Sequence, residues 1–122
     1  MYEVIVTVSF SAAHQLRGYD GKYENLHGHN WTATVYVRAE ELDAMEVAVD
    51  FVMLKKKTEE ILARIDYKNI NEIPPFDKLN PSAENIARWL YQQLVKEINT
   101  DSVKIYRTQV NEFDHSGAAY FQ

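Results

Sequence analysis

The 122-residue chain contains no cysteine. Disulfides and thiolate metal ligands are therefore excluded, as is any mechanism built on a cysteine nucleophile. Basic runs are equally scarce, the longest being Lys55-Lys56-Lys57, and the formal net charge is −5. Binding along a phosphate backbone is not expected of such a chain. The lysine triplet reads either as a solvated helix face or as a cation for a phosphorylated substrate. No segment approaches the roughly 18 consecutive apolar residues of a membrane span, and no basic stretch leads into an apolar one near the N-terminus. A soluble, cytoplasmic protein with neither a membrane nor a nucleic-acid partner is the expectation. Repeats and low-complexity tracts are also missing, so residues 1–122 read as one domain.

What is present is a hydrophobic fraction of 46% with 12% aromatic residues, ordinary for a packed globular core. Period two runs through Tyr2, Val4, Val6, Val8 and Phe10, then through Trp31, Ala33, Val35, Val37 and Ala39, predicting two strands. The glycine-bearing segment between them, Arg17 to Asn25, is too long for a tight hairpin turn. A helical period follows, with Phe51, Leu54, Ile61, Leu62 and Ile65 on one face and Asp50 as N-cap. Phe51 is expected in the core. A second helix starts near Asn80-Pro81-Ser82, where Asn or Ser suits the cap and Pro the first turn; Ile86, Trp89, Leu90, Leu94 and Ile98 form its apolar stripe. Asn69 to Leu79 reads as an ordered loop. Strand periodicity returns at Val103 to Gln109 and at Gly117 to Phe121. The order ββααββ describes an α+β layer, a four-stranded antiparallel sheet with both helices on one face. Its outer edges would be unpaired, which predicts a closed homo-oligomer.

Three of the four histidines form one constellation: His14 after the first strand run, and His27-Gly28-His29 before the second. Residues two apart in extended chain point the same way, so His27 and His29 converge, with Gly28 keeping the backbone between them uncrowded. His14 approaches from the neighbouring strand, the three lying in the loop that joins the strand ends. Three imidazoles leave a tetrahedral Zn2+ one vacant position, the arrangement of a catalytic site.

Further residues carry a resemblance. Phe10-Ser11-Ala12-Ala13-His14, Leu26-His27-Gly28-His29-Asn30, Asp50-Phe51, Pro81-Ser82-Ala83-Glu84-Asn85 and a late Glu112 occur in an order that resembles the 6-pyruvoyl-tetrahydropterin synthase/6-carboxytetrahydropterin synthase family, over essentially the whole chain. The resemblance implies a tunnelling fold (T-fold), in which the sheets of three subunits close a twelve-stranded barrel and two trimers stack as a hexamer. It implies active sites at subunit interfaces and a small-molecule pterin substrate. His14, His27 and His29 match the family's zinc ligands, and Glu112 its pterin-anchoring glutamate. A carboxylate suits that task because the pterin amino group and adjacent ring N–H are paired donors. Ser82, Ala83 and Glu84 match the segment lining the pterin pocket, where helix N-terminal amides face ring acceptors; Glu84 reads equally as a first-turn acid.

The departures from that pattern concern proton transfer. Where the family's synthases carry a catalytic cysteine, four residues before His27, this chain has Tyr23, and the Asp-His pair corresponds to Asp66-Tyr67. Glu24 follows the lost cysteine position, which resembles the folate-type subfamily that cuts 7,8-dihydroneopterin triphosphate to 6-hydroxymethyl-7,8-dihydropterin. There Glu24 would act as base beside zinc; on the residues alone it reads as an exposed loop carboxylate. Asp66 as an orienting group, Tyr67 as a proton donor and His115 as a replacement histidine complete the catalytic candidates. The implied activity is a zinc-dependent pterin lyase. The other readings are a pyruvoyl- or carboxy-forming lyase and a pterin- or purine-binding homologue without turnover.

Overall fold

Alternating valines and aromatics at the N-terminus build two long strands, β1 (Tyr2–His14) and β2 (His27–Ala39), paired antiparallel along their whole length. The structure is a computed structural model that describes residues 1–18, 20 and 22–122. Positions 19 and 21 of the glycine-bearing loop thus lie outside the described residues. Strand β3 (Val103–Phe113) pairs with β2, and β4 (Ser116–Phe121) with β3, giving one antiparallel sheet in the order β1-β2-β3-β4. The strands run further than their hydrophobic alternation predicts. All three clustered histidines are strand residues, and His14 pairs directly with His27. The expectation of a loop holding them is corrected: histidine keeps the pleat because its ring can pack on the same face as Trp31 and Phe10.

The helices are α1 (Phe51–Leu62) and α2 (Ala83–Ile98). Asp50 caps α1, its carboxylate accepting the Val52 N–H at 2.8 Å. Leu54, Thr58, Ile61 and Leu62 face the sheet, but Phe51 is 64% exposed, contrary to the expected core position. At the first residue of the helix it lines an open cleft with Tyr2, Val4 and Val47. Ser82 caps α2, its Oγ accepting the Asn85 N–H at 3.1 Å. Pro81 therefore precedes the cap and is not in the first turn. The stripe Ile86, Trp89, Leu90, Leu94 and Ile98 is buried throughout. Each such side chain contributes about 1.5–3 kcal/mol through burial.

Both helices lie on the face of the sheet that carries Val4, Val8, Phe10, Ala12, Trp31, Ala33, Val35 and Val37. The connection between them holds a 3-10 turn, Ile70–Glu72, and returns along the open edge of β1. There the Tyr67 N–H donates to the Ser11 carbonyl and the Ala13 N–H to the Lys68 carbonyl. The β1 edge is thus covered near its end and open only over its first part. Among the described residues no helix is long and apolar enough to cross a membrane.

Candidate metal centre

At the far end of the β1–β2 ladder, next to the start of α2, His14, His27 and His29 place one ring nitrogen each within 4.8 Å of one another. Their ring centroids lie 4.7 to 5.2 Å apart, each pair nearly edge to face. Strand geometry explains the convergence. His27 and His29 share a face of β2, and His14 stands opposite His27. Trp31 is the next residue on that face, fully buried, and its indole packs edge-on against His14 at 4.8 Å and His29 at 5.2 Å. Its Nε1–H donates to the Ala12 carbonyl at 3.1 Å, so the floor under the histidines is rigid.

Tautomers follow from the partners. His14 Nδ1 lies 2.7 Å from the Pro81 carbonyl and His27 Nδ1 lies 2.7 Å from the Asn25 carbonyl. A carbonyl only accepts, so both Nδ1 atoms carry a proton, and in the neutral imidazole the lone pair of each ring is then on Nε2. His14 Nε2 and His29 Nε2 are buried and, among the described residues, without a hydrogen-bond partner. Burial pushes the His29 imidazole below its usual range; the Glu112 carboxylate opposes this, and the nearby His14 and His27 reinforce it. Three ring nitrogens that converge, two of them buried without a partner, make a donor set that suits a divalent cation such as Zn2+ when the imidazoles are neutral, and these residues fit one. Gly28 is not sterically required: a Cβ there would meet only the Ala12 carbonyl oxygen, at 3.7 Å.

Glu112 comes to the centre from β3. Its carboxylate oxygens lie 3.6 Å from His14 Nε2 and 3.8 Å from His29 Nε2, with 29% of the side chain exposed. The register between β3 and β4 shifts between Asn111 and Phe113, leaving Glu112 as the extra residue of a bulge. Bulges re-aim side chains in this way. Asn111 Nδ2 donates to the Phe113 carbonyl at 3.2 Å, and Gly117 opposite is obligatory because a Cβ would collide with the Asn111 side chain. Sequence reasoning missed this bulge, as it missed the Pro81 and Asn25 carbonyls, since backbone groups leave no residue-type signal.

The remaining candidates are spread around the centre. Glu24 is exposed, its Oε1 accepting the Leu16 N–H at 3.0 Å while its own N–H donates to the Leu16 carbonyl at 3.0 Å. It stands close enough to His29 to favour the charged imidazole slightly. Tyr23 is 64% exposed. Asp66 accepts the Ser11 N–H at 2.9 Å, tying the end of the α1 segment to β1. Tyr67, at φ 59°, is 86% exposed on a cleft of about 540 Å3 that it shares with His29, Asn30 and Lys68. His115 bonds Ser116 Oγ at 2.9 Å and stacks on Phe113, whose ring meets His29 edge-on at 4.9 Å. Ser82 is occupied as the α2 cap, Ala83 is buried behind it and Glu84 is exposed in the first turn. The loop after His14 is braced by Arg17, whose guanidinium donates to the carbonyls of Phe76, Asp77 and Leu79.

Comparisons with known proteins bear on the family and the fold. A family model described as 6-pyruvoyl tetrahydropterin synthase matches residues 3–122. The dihydroneopterin monophosphate aldolase of Pyrococcus furiosus is 34% identical over 113 residues, covering 90% of this chain and 91% of that protein. The 6-carboxy-5,6,7,8-tetrahydropterin synthase of Synechocystis sp. is 29% identical over 126 residues, covering 99% and 94%. The structure of Caenorhabditis elegans 6-pyruvoyl tetrahydropterin synthase superposes with a TM-score of 0.86 at 23% identity, covering 99% of this chain and 95% of that one.

Proposed function

Since this chain belongs to the 6-pyruvoyl tetrahydropterin synthase family, whose members are pterin-processing lyases, we propose that it cleaves the side chain of a dihydroneopterin phosphate to 6-hydroxymethyl-7,8-dihydropterin. The observation that carries the reading is an open three-histidine centre flanked by the Glu24 carboxylate in a chain without any thiol. A retro-aldol cleavage needs a base and no thiolate. The aldolase relative supports the same reaction type, with a monophosphate substrate; the triphosphate is the other substrate to be compared.

Glu24 takes the proton of the hydroxyl on the second side-chain carbon, the oxygen becomes an aldehyde carbonyl, and the bond between the first and second carbons breaks. Its electron pair passes into the pterin ring and is quenched by a proton at N5; a proton shift to the first carbon leaves the hydroxymethyl group. Zinc, held by His14, His27 and His29, would supply Lewis acidity that lowers the pKa of the side-chain hydroxyls. Glu112 grips the ring's amino and N–H donors, and Ala83 lines the pocket with Ser82 and Glu84. Tyr67 or His115 delivers the returning proton, with Asp66 holding the Tyr67 segment in place through Ser11. The protein works as a cytoplasmic homo-oligomer, a hexamer of two trimers with sites at subunit boundaries; the open first part of the β1 edge supports this.

Incubating the zinc-loaded protein with dihydroneopterin monophosphate or triphosphate and following product by mass spectrometry tests the reading. Hydroxymethyl pterin is the expected outcome, with an equal amount of glycolaldehyde phosphate from the monophosphate or glycolaldehyde triphosphate from the triphosphate. A carboxy or pyruvoyl pterin would favour the reaction named for the other relatives.

A further inference from the structure

Glu112 stands across a gap from two imidazole nitrogens that a metal ion would fit. Its carboxylate is partly withdrawn from water and, among the described residues, accepts no hydrogen bond. What it faces instead is His14 Nε2 at 3.6 Å and His29 Nε2 at 3.8 Å, both buried and without a hydrogen-bond partner. The Pro81 carbonyl keeps a proton on His14 Nδ1, so in the neutral imidazole that binds metals the carboxylate oxygen meets a lone pair, acceptor against acceptor. A partly exposed carboxylate held against two imidazole nitrogens is stabilised by a cation between it and them. Two donor atoms on one tetrahedral zinc stand about 3.4 Å apart, given bonds of about 2.0–2.2 Å. The observed separations are within a few tenths of an ångström of that spacing.

The backbone under Glu112 is fixed for this aim while its side chain is free to leave. Asn111 and Phe113 on either side are held, by the Asn111 to Phe113 hydrogen bond and by the Phe113 ring against His29. The bulge leaves Glu112 itself out of the β3–β4 pairing. We propose that Glu112 is a fourth ligand to the ion held by His14, His27 and His29 when no pterin is bound, and that pterin binding draws its carboxylate off the metal onto the ring. The exchange rests on the reading of Glu112 as the pterin anchor. It couples the two sites: the metal's open position appears only when the ring is seated, so the metal does not activate water in the empty enzyme.

The test compares wild type with Glu112→Gln, using zinc affinity by chelator competition and the visible bands of the cobalt-substituted proteins. Zinc affinity is expected to fall at least about tenfold in the variant, and its cobalt bands to change. Unsubstituted pterin, which has no side-chain hydroxyl to offer the metal, should then move the wild-type cobalt bands toward those of the variant and leave the variant's own bands unmoved. Equal zinc affinities and identical cobalt bands in the two proteins overturn the proposal, and so do wild-type bands that stay in place when pterin is added. Circular dichroism of the metal-free forms checks that both are folded; if Glu112→Gln is not, Glu112→Asp gives the same comparison. The outcome is separable from the lyase reading. An inactive Glu112→Gln with unaltered metal properties sinks only the fourth-ligand proposal, and a wild type without turnover whose metal affinity depends on Glu112 sinks only the lyase.

Discussion

His14 and His27 are the terminal pair of the β1–β2 ladder, directly opposite each other, and each donates through Nδ1 to a carbonyl outside that ladder, Pro81 and Asn25 respectively. The sheet brings the rings together, and those two carbonyls set which nitrogen faces inward. Orientation and tautomer are thus decided by separate parts of the chain.

Removing one ring should empty the site. His27→Ala is expected to lose bound zinc, with affinity down more than about 100-fold and activity down in parallel, while the fold stays intact because His27 is only half-buried. Metal content after gel filtration, with circular dichroism as control, reads this out. A variant that keeps stoichiometric zinc would remove His27 from the ligand set.

Glu24→Gln keeps an oxygen that can accept the Leu16 N–H and removes only the basic charge. Turnover should drop about 10²–10⁴-fold with little change in KM. An unchanged kcat assigns the base elsewhere.

Metal-free protein should be sensitive to acid. The folded chain holds His29 below its ordinary value of 6.5, with burial as the main cause, so the unfolded chain binds that proton first as pH falls. The contribution of His29 is complete above about pH 6.5 and is lost on acidification. Melting temperature in a chelating buffer should therefore decline from pH 7.5 to 5.5. His29→Gln should flatten part of that slope, and a slope identical to wild type would rule out His29 as its source.

The floor of the site has a measurable share in stability. Trp31→Phe removes the indole donor from the Ala12 carbonyl and should cost about 1–3 kcal/mol in denaturant unfolding. Leu90→Ala, at a fully buried position of α2, should cost about 2–5 kcal/mol. The first should also weaken zinc binding, because His14 and His29 rest on the indole; the second should not.

Ser82→Ala should destabilise by about 1 kcal/mol through loss of the α2 cap. Pro81 precedes that cap and orients His14, so a modest loss of zinc affinity is expected with it. Unfolding and chelator titrations on one sample separate the two effects.

By itself the sequence determined the element order, the buried stripes of both helices, the cap at Asp50 and the three histidines, because periodicity and side-chain chemistry are local properties, and it left the α2 cap open between Asn80 and Ser82. It misplaced Phe51, whose apolar character does not say whether other side chains cover it in the first turn of α1. Only the tertiary structure decided that His14 pairs with His27, that backbone carbonyls select their tautomers, and that a bulge turns Glu112 toward two imidazole nitrogens. Those relations depend on register and on backbone groups, which every residue carries and no residue type announces.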